Sequence, residues 1–277
     1  MMSSATRLFA CLTLLLVSII GHAAETYTLA RAPQLSPSVT ADMWSPLVKY
    51  LSQQTGKNIV LKIYRDRDAF ELDMKTGVPD FYFGNPGYAV VGHERFGYEP
   101  LIRSDSKPSY GILVVRTDSN INSLHQLSGK TLAFPSESAF IASKYLRAQL
   151  KKHEKLDFKP EYIGTHDNVY RGVVIGQFPA GGGVERTLER EPRRLKSNLK
   201  ILYRTPKLTT HPLMVHPRVP VTLQHAVQKA ILGLNKTAEG RQMLKSLKIE
   251  KPVVPDYQKD YAPLGKLIHE MYSYLYQ

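Results

Sequence analysis

Short apolar runs alternate along this chain with segments whose apolar residues recur every three or four positions. The strand-like runs fall at 27–30, 59–64, 81–83, 111–115, 131–134, 162–163, 201–203 and 213–215. Helical stripes lie between them: Met43, Leu47, Tyr50 and Leu51, then Ala142, Leu146 and Leu150. Two later stripes share one spacing, Leu223, Val227, Ala230, Ile231, Leu234 and Leu264, Ile268, Met271, Tyr272, Leu275. This alternation predicts an α/β fold with largely parallel sheets, and such folds bind ligands where strand C-termini and helix N-termini face a crevice.

The N-terminus has its own logic. Arg7 precedes an uninterrupted apolar run, 8–20, followed by Gly21-His22-Ala23-Ala24, which predicts a secretory signal peptide over 1–24. That run is shorter than the roughly 20 apolar residues of a membrane helix, and no later run approaches it. The mature chain is therefore expected in the periplasm, soluble and without a membrane span. The single cysteine, Cys11, lies inside the run, so no disulfide, thiol chemistry or cysteine-held metal is expected. Leu8-Phe9-Ala10-Cys11 looks like a lipoprotein box but sits at the front of the apolar stretch instead of after it.

A mature chain of this length divides naturally into two compact units. The segments 110–116 and 211–216 read as crossings between them, giving a discontinuous lobe 1 (25–112 and 213–277) and an inserted lobe 2 (113–212). The net charge of +13 favours encounters with anions. The densest basic stretch holds Arg186, Arg190, Arg193, Arg194, Lys196, Lys200, Arg204 and Lys207, with Tyr203 the one aromatic among them. A single-strand binder would interleave stacking platforms. The stretch reads as solvated surface, and no nucleic-acid partner is expected.

Four loop-to-helix junctions carry the candidate site. In Gly84-Asn85-Pro86, Asn85 suits the cap and Pro86 the first helical position. In Phe134-Pro135-Ser136-Glu137-Ser138-Ala139-Phe140, the two hydroxyls are either ordinary caps or part of an anion cradle with the helix's unpaired N–H groups. Thr165 can cap a helix that begins at His166, which would stand ready to donate to an anion. Gly181-Gly182-Gly183-Val184-Glu185 offers side-chain-free backbone to a ligand before Glu185 starts a helix.

Catalysis finds little support. His93-Glu94 lacks a second histidine at zinc-site spacing, and adjacent His166-Asp167 cannot relay to Ser138. The cluster Asp66, Asp68, Glu71 and Asp73 reads as a solvated helix start. We expect no enzymatic activity, catalytic residue, metal or cofactor.

Taken together, these stretches resemble the phosphate/phosphite/phosphonate-binding proteins of ABC importers, the PhnD-like periplasmic solute-binding family. The resemblance extends to Ala32-Pro33-Gln34-Leu35-Ser36-Pro37, Gly164-Thr165-His166-Asp167-Asn168-Val169-Tyr170 and Asp260-Tyr261-Ala262-Pro263-Leu264, in order through nearly the whole mature chain. It implies a type II periplasmic-binding fold, two α/β lobes joined by two crossing strands with a ligand cleft between. It also implies ligand contacts at Ser136, Glu137, Ser138 and Ala139, a site histidine at His166 and a site carboxylate at Glu185.

Departures from the family pattern bear on the ligand. Phe83, just before Gly84 and Asn85, stands where the phosphonate binders carry a tyrosine; a second family tyrosine falls at Arg67, and an aspartate that meets the ligand amine falls at His211. Losing an anion and gaining cationic groups suits a smaller, more negative oxyanion. The implied function is capture of phosphate, phosphite or phosphonate by a monomer that hands it to a permease. The alternatives are a ligand sensor signalling to a membrane receptor and a cationic surface binder.

Overall fold

The computed structural model describes residues 25–34 and 36–273. The expected signal peptide, Cys11 and Leu275 lie outside them. Its strands, in chain order, are β1 (Thr26–Arg31), β2 (Asn58–Lys62), β3 (Phe81–Phe83), β4 (Glu99–Ser104), β5 (Gly111–Arg116), β6 (Thr131–Phe134), β7 (Lys159–Tyr162), β8 (Gly181–Val184), β9 (Leu199–Arg204), β10 (Pro212–Val215) and β11 (Pro252–Val253). They form two sheets, one ordered β11-β4-β10-β3-β1-β2 and the other β7-β6-β8-β5-β9.

Both sheets are mixed. β1 lies parallel to β2 and β3 while β10 runs antiparallel to β3 and β4; β6 lies parallel to β7 and β8 while β5 runs antiparallel to β8 and β9. Each is covered on both faces, as strict residue alternation demands. In β3, Phe81 and Phe83 enter one core with Trp44 and Leu47, and Tyr82 enters an aromatic core with Phe70, Tyr88 and Tyr98 on the other side. In β5, Leu113 and Val115 face one layer, Ile112 and Val114 the other.

The helices are α1 (Pro37–Thr55), α2 (Arg67–Lys75), α3 (Pro86–Phe96), α4 (140–153), α5 (His166–Val174), α6 (Glu185–Arg190), α7 (Arg193–Lys196), α8 (Val221–Leu234), α9 (Ala238–Leu247), α10 (Tyr257–Asp260) and α11 (Gly265–Met271). Local chemistry sets their limits. Ser36, Asp66, Asn85, Thr165 and Thr237 each accept a backbone N–H at a helix start, an interaction worth about 1 kcal/mol apiece. Gly56 and Gly97 end α1 and α3 in the left-handed region, at φ 65° and 73°. All five stripe residues of α8 are buried.

Two connections link the sheets, 105–110 from β4 to β5 and 205–211 from β9 to β10. They pair with each other, Ser109 N donating to Leu208 O at 3.1 Å and Leu208 N to Ser109 O at 2.9 Å. The segments expected to cross, β5 and β10, each lie within one sheet, and the chain crosses just ahead of them.

Three strands differ from the sequence expectation. β4 carries Pro100, which argues against an interior strand, but its register with β10 shifts between Leu213 and Met214, so that Met214 faces Pro100 and the ladder absorbs the missing donor. β11 has only two residues. β8 is the glycine run, expected as a loop.

No helix among the described residues is long and apolar enough to cross a membrane. Nor do they hold a group of three or more histidine, cysteine or acidic side chains arranged for a metal ion.

Candidate ligand-binding cleft

The ends of parallel strands gather the expected site in the second unit. β7, β6 and β8 lie side by side and point the same way, so the loops after them emerge along one edge. Two of those loops are fastened together, with Ile163 N donating to Phe134 O at 3.0 Å and Gly164 N to Pro135 O at 2.8 Å. This puts the segment holding Ser136, Glu137, Ser138 and Ala139 beside the one holding Thr165 and His166.

The Ser136 segment differs in detail from the simple cap. Neither serine hydroxyl caps α4; the helix starts at Phe140, with Ala139 at the cap position. Lys144 N reaches back five residues to Ala139 O at 2.9 Å, while Ser143 N also donates to that oxygen at 3.0 Å. The first turns, Phe140–Tyr145, and the last, Gln149–His153, are π-helical. Such wide turns are uncommon and concentrate at functional sites. The exposed Glu137 offers its carbonyl to Arg147 at 3.4 Å.

His166 occupies the first position of α5, its ring 6.4 Å from that of Tyr170. Its Nδ1 is buried without a hydrogen-bond partner among the described residues. Burial lowers its pKa, with Asp167 pulling weakly the other way, so the ring is neutral at pH 7. Glu185 starts α6 and accepts a short hydrogen bond from Arg204. Its N–H donates to Tyr110 O at 3.1 Å, tying the start of α6 to the crossing before β5.

Glycines 181–183 make room for neighbouring side chains. A Cβ on Gly181 would lie 2.4 Å from Val169 Cγ1, one on Gly182 2.5 Å from the Phe134 ring and one on Gly183 2.2 Å from the Tyr170 hydroxyl. Their missing side chains admit neighbouring helix and strand residues.

The first unit contributes the opposite wall. β1 and β3 end together, Ala32 N donating to Phe83 O at 2.9 Å, and Gly84 N donates to Pro212 O at 3.2 Å. Phe83 stacks on His211 at 5.8 Å and touches Trp44 at 4.9 Å on the core side. Asn85 is buried and uses Oδ1 to cap α3, accepting from Tyr88 N at 3.1 Å. Arg67 stands at the start of α2, near enough to Lys144, Tyr88 and Tyr272 to perturb all three electrostatically. Glu71, expected in solvent, is buried instead and accepts a 2.6 Å hydrogen bond from Tyr88.

Between the two units lies a cavity of about 320 Å³. Phe83 and His211 line it; the other expected site residues do not. Its remaining character is cationic. Arg31 at the end of β1, Arg186 and Arg190 on α6, and Lys245 and Lys248 at the end of α9 face it, with Glu250 the one carboxylate. Burial, reinforced by Arg31, Lys248 and Arg186, pushes the His211 pKa down to about 3, so this ring is neutral and accepts at Nε2, 3.5 Å from Gln34 Nε2. A larger hollow, about 520 Å³, lies by Arg241 and Lys251, but first-unit residues alone line it.

Arg186 and Arg190, which read from the sequence as solvated surface, are exposed and also face the cavity. The signal that could have found them is their four-residue spacing in the first turns after β8, which sets both on one helix face. Arg31 announced itself only as a charge ending an apolar strand, and Lys248 not at all.

Residues 29–261 match the family described as ABC transporter, phosphonate, periplasmic substrate-binding protein. The chain belongs to this family. Its members are substrate-binding components of transporters. A curated relative, the phosphate-import protein PhnD of Mycolicibacterium smegmatis, is 28% identical over 175 residues, 57% of this chain and 54% of that protein. The match thus spans about half of the relative's length.

Among solved structures, XAC2383 from Xanthomonas citri bound to chloride ion superposes with a TM-score of 0.75 at 17% identity, covering 90% of this chain and 99% of that one. The same protein bound to ATP gives 0.74, with 90% and 98% covered and 17% identity. PhnD1 from Prochlorococcus marinus in complex with methylphosphonate gives 0.69 at 17% identity, with 90% and 99% covered. At such identity the likeness is one of fold, and that fold is the type II periplasmic-binding fold.

Proposed function

We propose that this chain captures a small phosphate-like oxyanion, phosphate, phosphite or phosphonate, in the cleft between its units and delivers it from the periplasm to an ABC importer. One observation carries the reading: cations from both units face one cavity, and among the described residues none of Arg31, Arg186, Arg190, Lys245 and Lys248 has an ion-pair partner. An anion bound there cancels their mutual repulsion. The phosphate of the mycobacterial import protein and the methylphosphonate of PhnD1 supply the range of chemistry.

In this mechanism the two units rotate about the paired crossings, 105–110 and 205–211, and close over the guest. Ser136, Ser138, the unpaired N–H groups at the start of α4 and α5, and His166 lie outside the cavity's lining, and closure brings them to donate to the guest's oxygens. Glu185 exchanges Arg204 for a protonated ligand oxygen, which favours a partly protonated guest over a fully ionised one. Phe83, Asn85, His211 and Arg67 complete the wall from lobe 1.

Thermal unfolding tests this directly. Against phosphate, phosphite, alkylphosphonates, sulfate and sulfonates, a true ligand at 100 times its Kd adds about 2.7 kcal/mol, raising Tm by roughly 5 to 11 °C. The protein is unfolded and refolded beforehand to release anything carried through purification. A flat response to every phosphorus oxyanion overturns the proposal.

A further inference from the structure

The positive charge of the cleft exceeds what one tetrahedral oxyanion neutralises. Five cations line it against one carboxylate, and a dianion still leaves half of that excess standing. The cavity, about 320 Å³, is also more than ten times the roughly 30 Å³ that a water molecule occupies in the liquid. A lone phosphate group fills only part of it.

Arg31 makes the point most sharply. It is 7% exposed, and among the described residues its guanidinium donates only to neutral acceptors, Ala32 O at 3.2 Å and Gln34 Oε1 at 3.1 Å. A buried charge without a counter-charge is expensive. Two other part-buried arginine pairs show the contrast: Arg103 meets Asp260 at 2.8 Å and Arg218 meets Asp80 at 2.8 Å. Lys248 is held at φ 61°, a backbone region where glycine is the usual residue, although a glycine there would end α9 with less strain. From the other unit, Arg186 and Arg190 present two more guanidinium groups, the geometry suited to bidentate contact with phosphoryl oxygens.

We propose that the cleft takes an anion with two or more separately charged groups, an oligophosphate or a bisphosphonate, and that Arg186 and Arg190 clamp its second charged group against Arg31 and Lys248. This rests on the oxyanion-capture reading and narrows it. Charge count and cavity size both favour the longer anion, and the clamp draws on both units, so the second group adds to closure.

Calorimetry with inorganic pyrophosphate and orthophosphate tests it, using the refolded protein at fixed salt. Pyrophosphate is expected to bind at least about tenfold tighter than orthophosphate. Arg186→Gln with Arg190→Gln, both exposed side chains whose loss leaves the core intact, should weaken both anions but cost pyrophosphate about tenfold more affinity than orthophosphate. Lys248→Gly, which relieves the backbone while deleting the charge, should act in the same direction with no loss of Tm. Equal affinity for the two anions, or equal losses for both in the variants, overturns the clamp while leaving oxyanion capture standing. Binding of neither anion overturns both.

Discussion

His211 shows how a single side chain reports its surroundings. It stacks on Phe83, faces Gln34, and feels Arg31, Lys248 and Arg186. In the unfolded chain it titrates near 6.5, whereas in the fold its pKa is about 3. Between those values the unfolded state binds the extra proton, so this contribution to stability is complete above about pH 6.5 and is lost as pH falls towards 3. The loss is at most about 1.4 kcal/mol per pH unit. Urea denaturation should therefore show a lower midpoint at pH 5 than at pH 7, and His211→Gln should flatten part of that slope. An unaltered slope in the variant would remove His211 from the acid response. His166, its pKa lowered by burial, works in the same sense, which makes the difference between wild type and variant the informative quantity.

At the scale of elements, β8 and α4 are the instructive pair. β8 is a strand built from three glycines because Val169 and Tyr170 of α5 and Phe134 of β6 occupy the space where its side chains would stand. Gly183→Ala should destabilise the protein by about 1 to 3 kcal/mol, as expected for overpacking, measured by denaturant unfolding. A neutral outcome would mean that Tyr170 yields without loss of its hydrogen bonds to Val184 O at 3.2 Å and Thr187 Oγ1 at 2.7 Å. The glycine run was legible as a run but not as a strand, because strand propensity in glycine is nil and only its neighbours define it. α4 was legible as a helix from Ala142, Leu146 and Leu150, all buried, yet its five-residue hydrogen bonding is invisible to a spacing argument.

For the whole molecule, the contact between units matters most. Phe140 and Tyr145, at the start of α4, sit in the aromatic core with Tyr88 and Tyr272 of the first unit, and Lys144 lies 5.0 Å over the Tyr272 ring. Phe140→Ala should cost less global stability than the about 3 to 5 kcal/mol of a fully embedded phenylalanine, because each unit keeps its own core. Its larger effect should be on the relation between units, seen as an increased radius of gyration in small-angle scattering of the ligand-free protein. An unchanged radius would place closure under the control of the crossings alone.

The sequence by itself determined the alternation of strands and helices, the caps at Asn85 and Thr165, the buried stripe of α8 and the family's motifs. All of these rest on interactions within a few residues, where spacing and residue type suffice. Tertiary structure alone decided which charges meet. Arg31, Arg186 and Lys248 are far apart along the chain and individually unremarkable; two sheets and a pair of crossings bring them to one cavity. The same holds for Glu71, whose burial against Tyr88 depends on how α2 packs on α3. Charge is legible in a sequence, but its counter-charge, or the lack of one, is a property of three-dimensional neighbours.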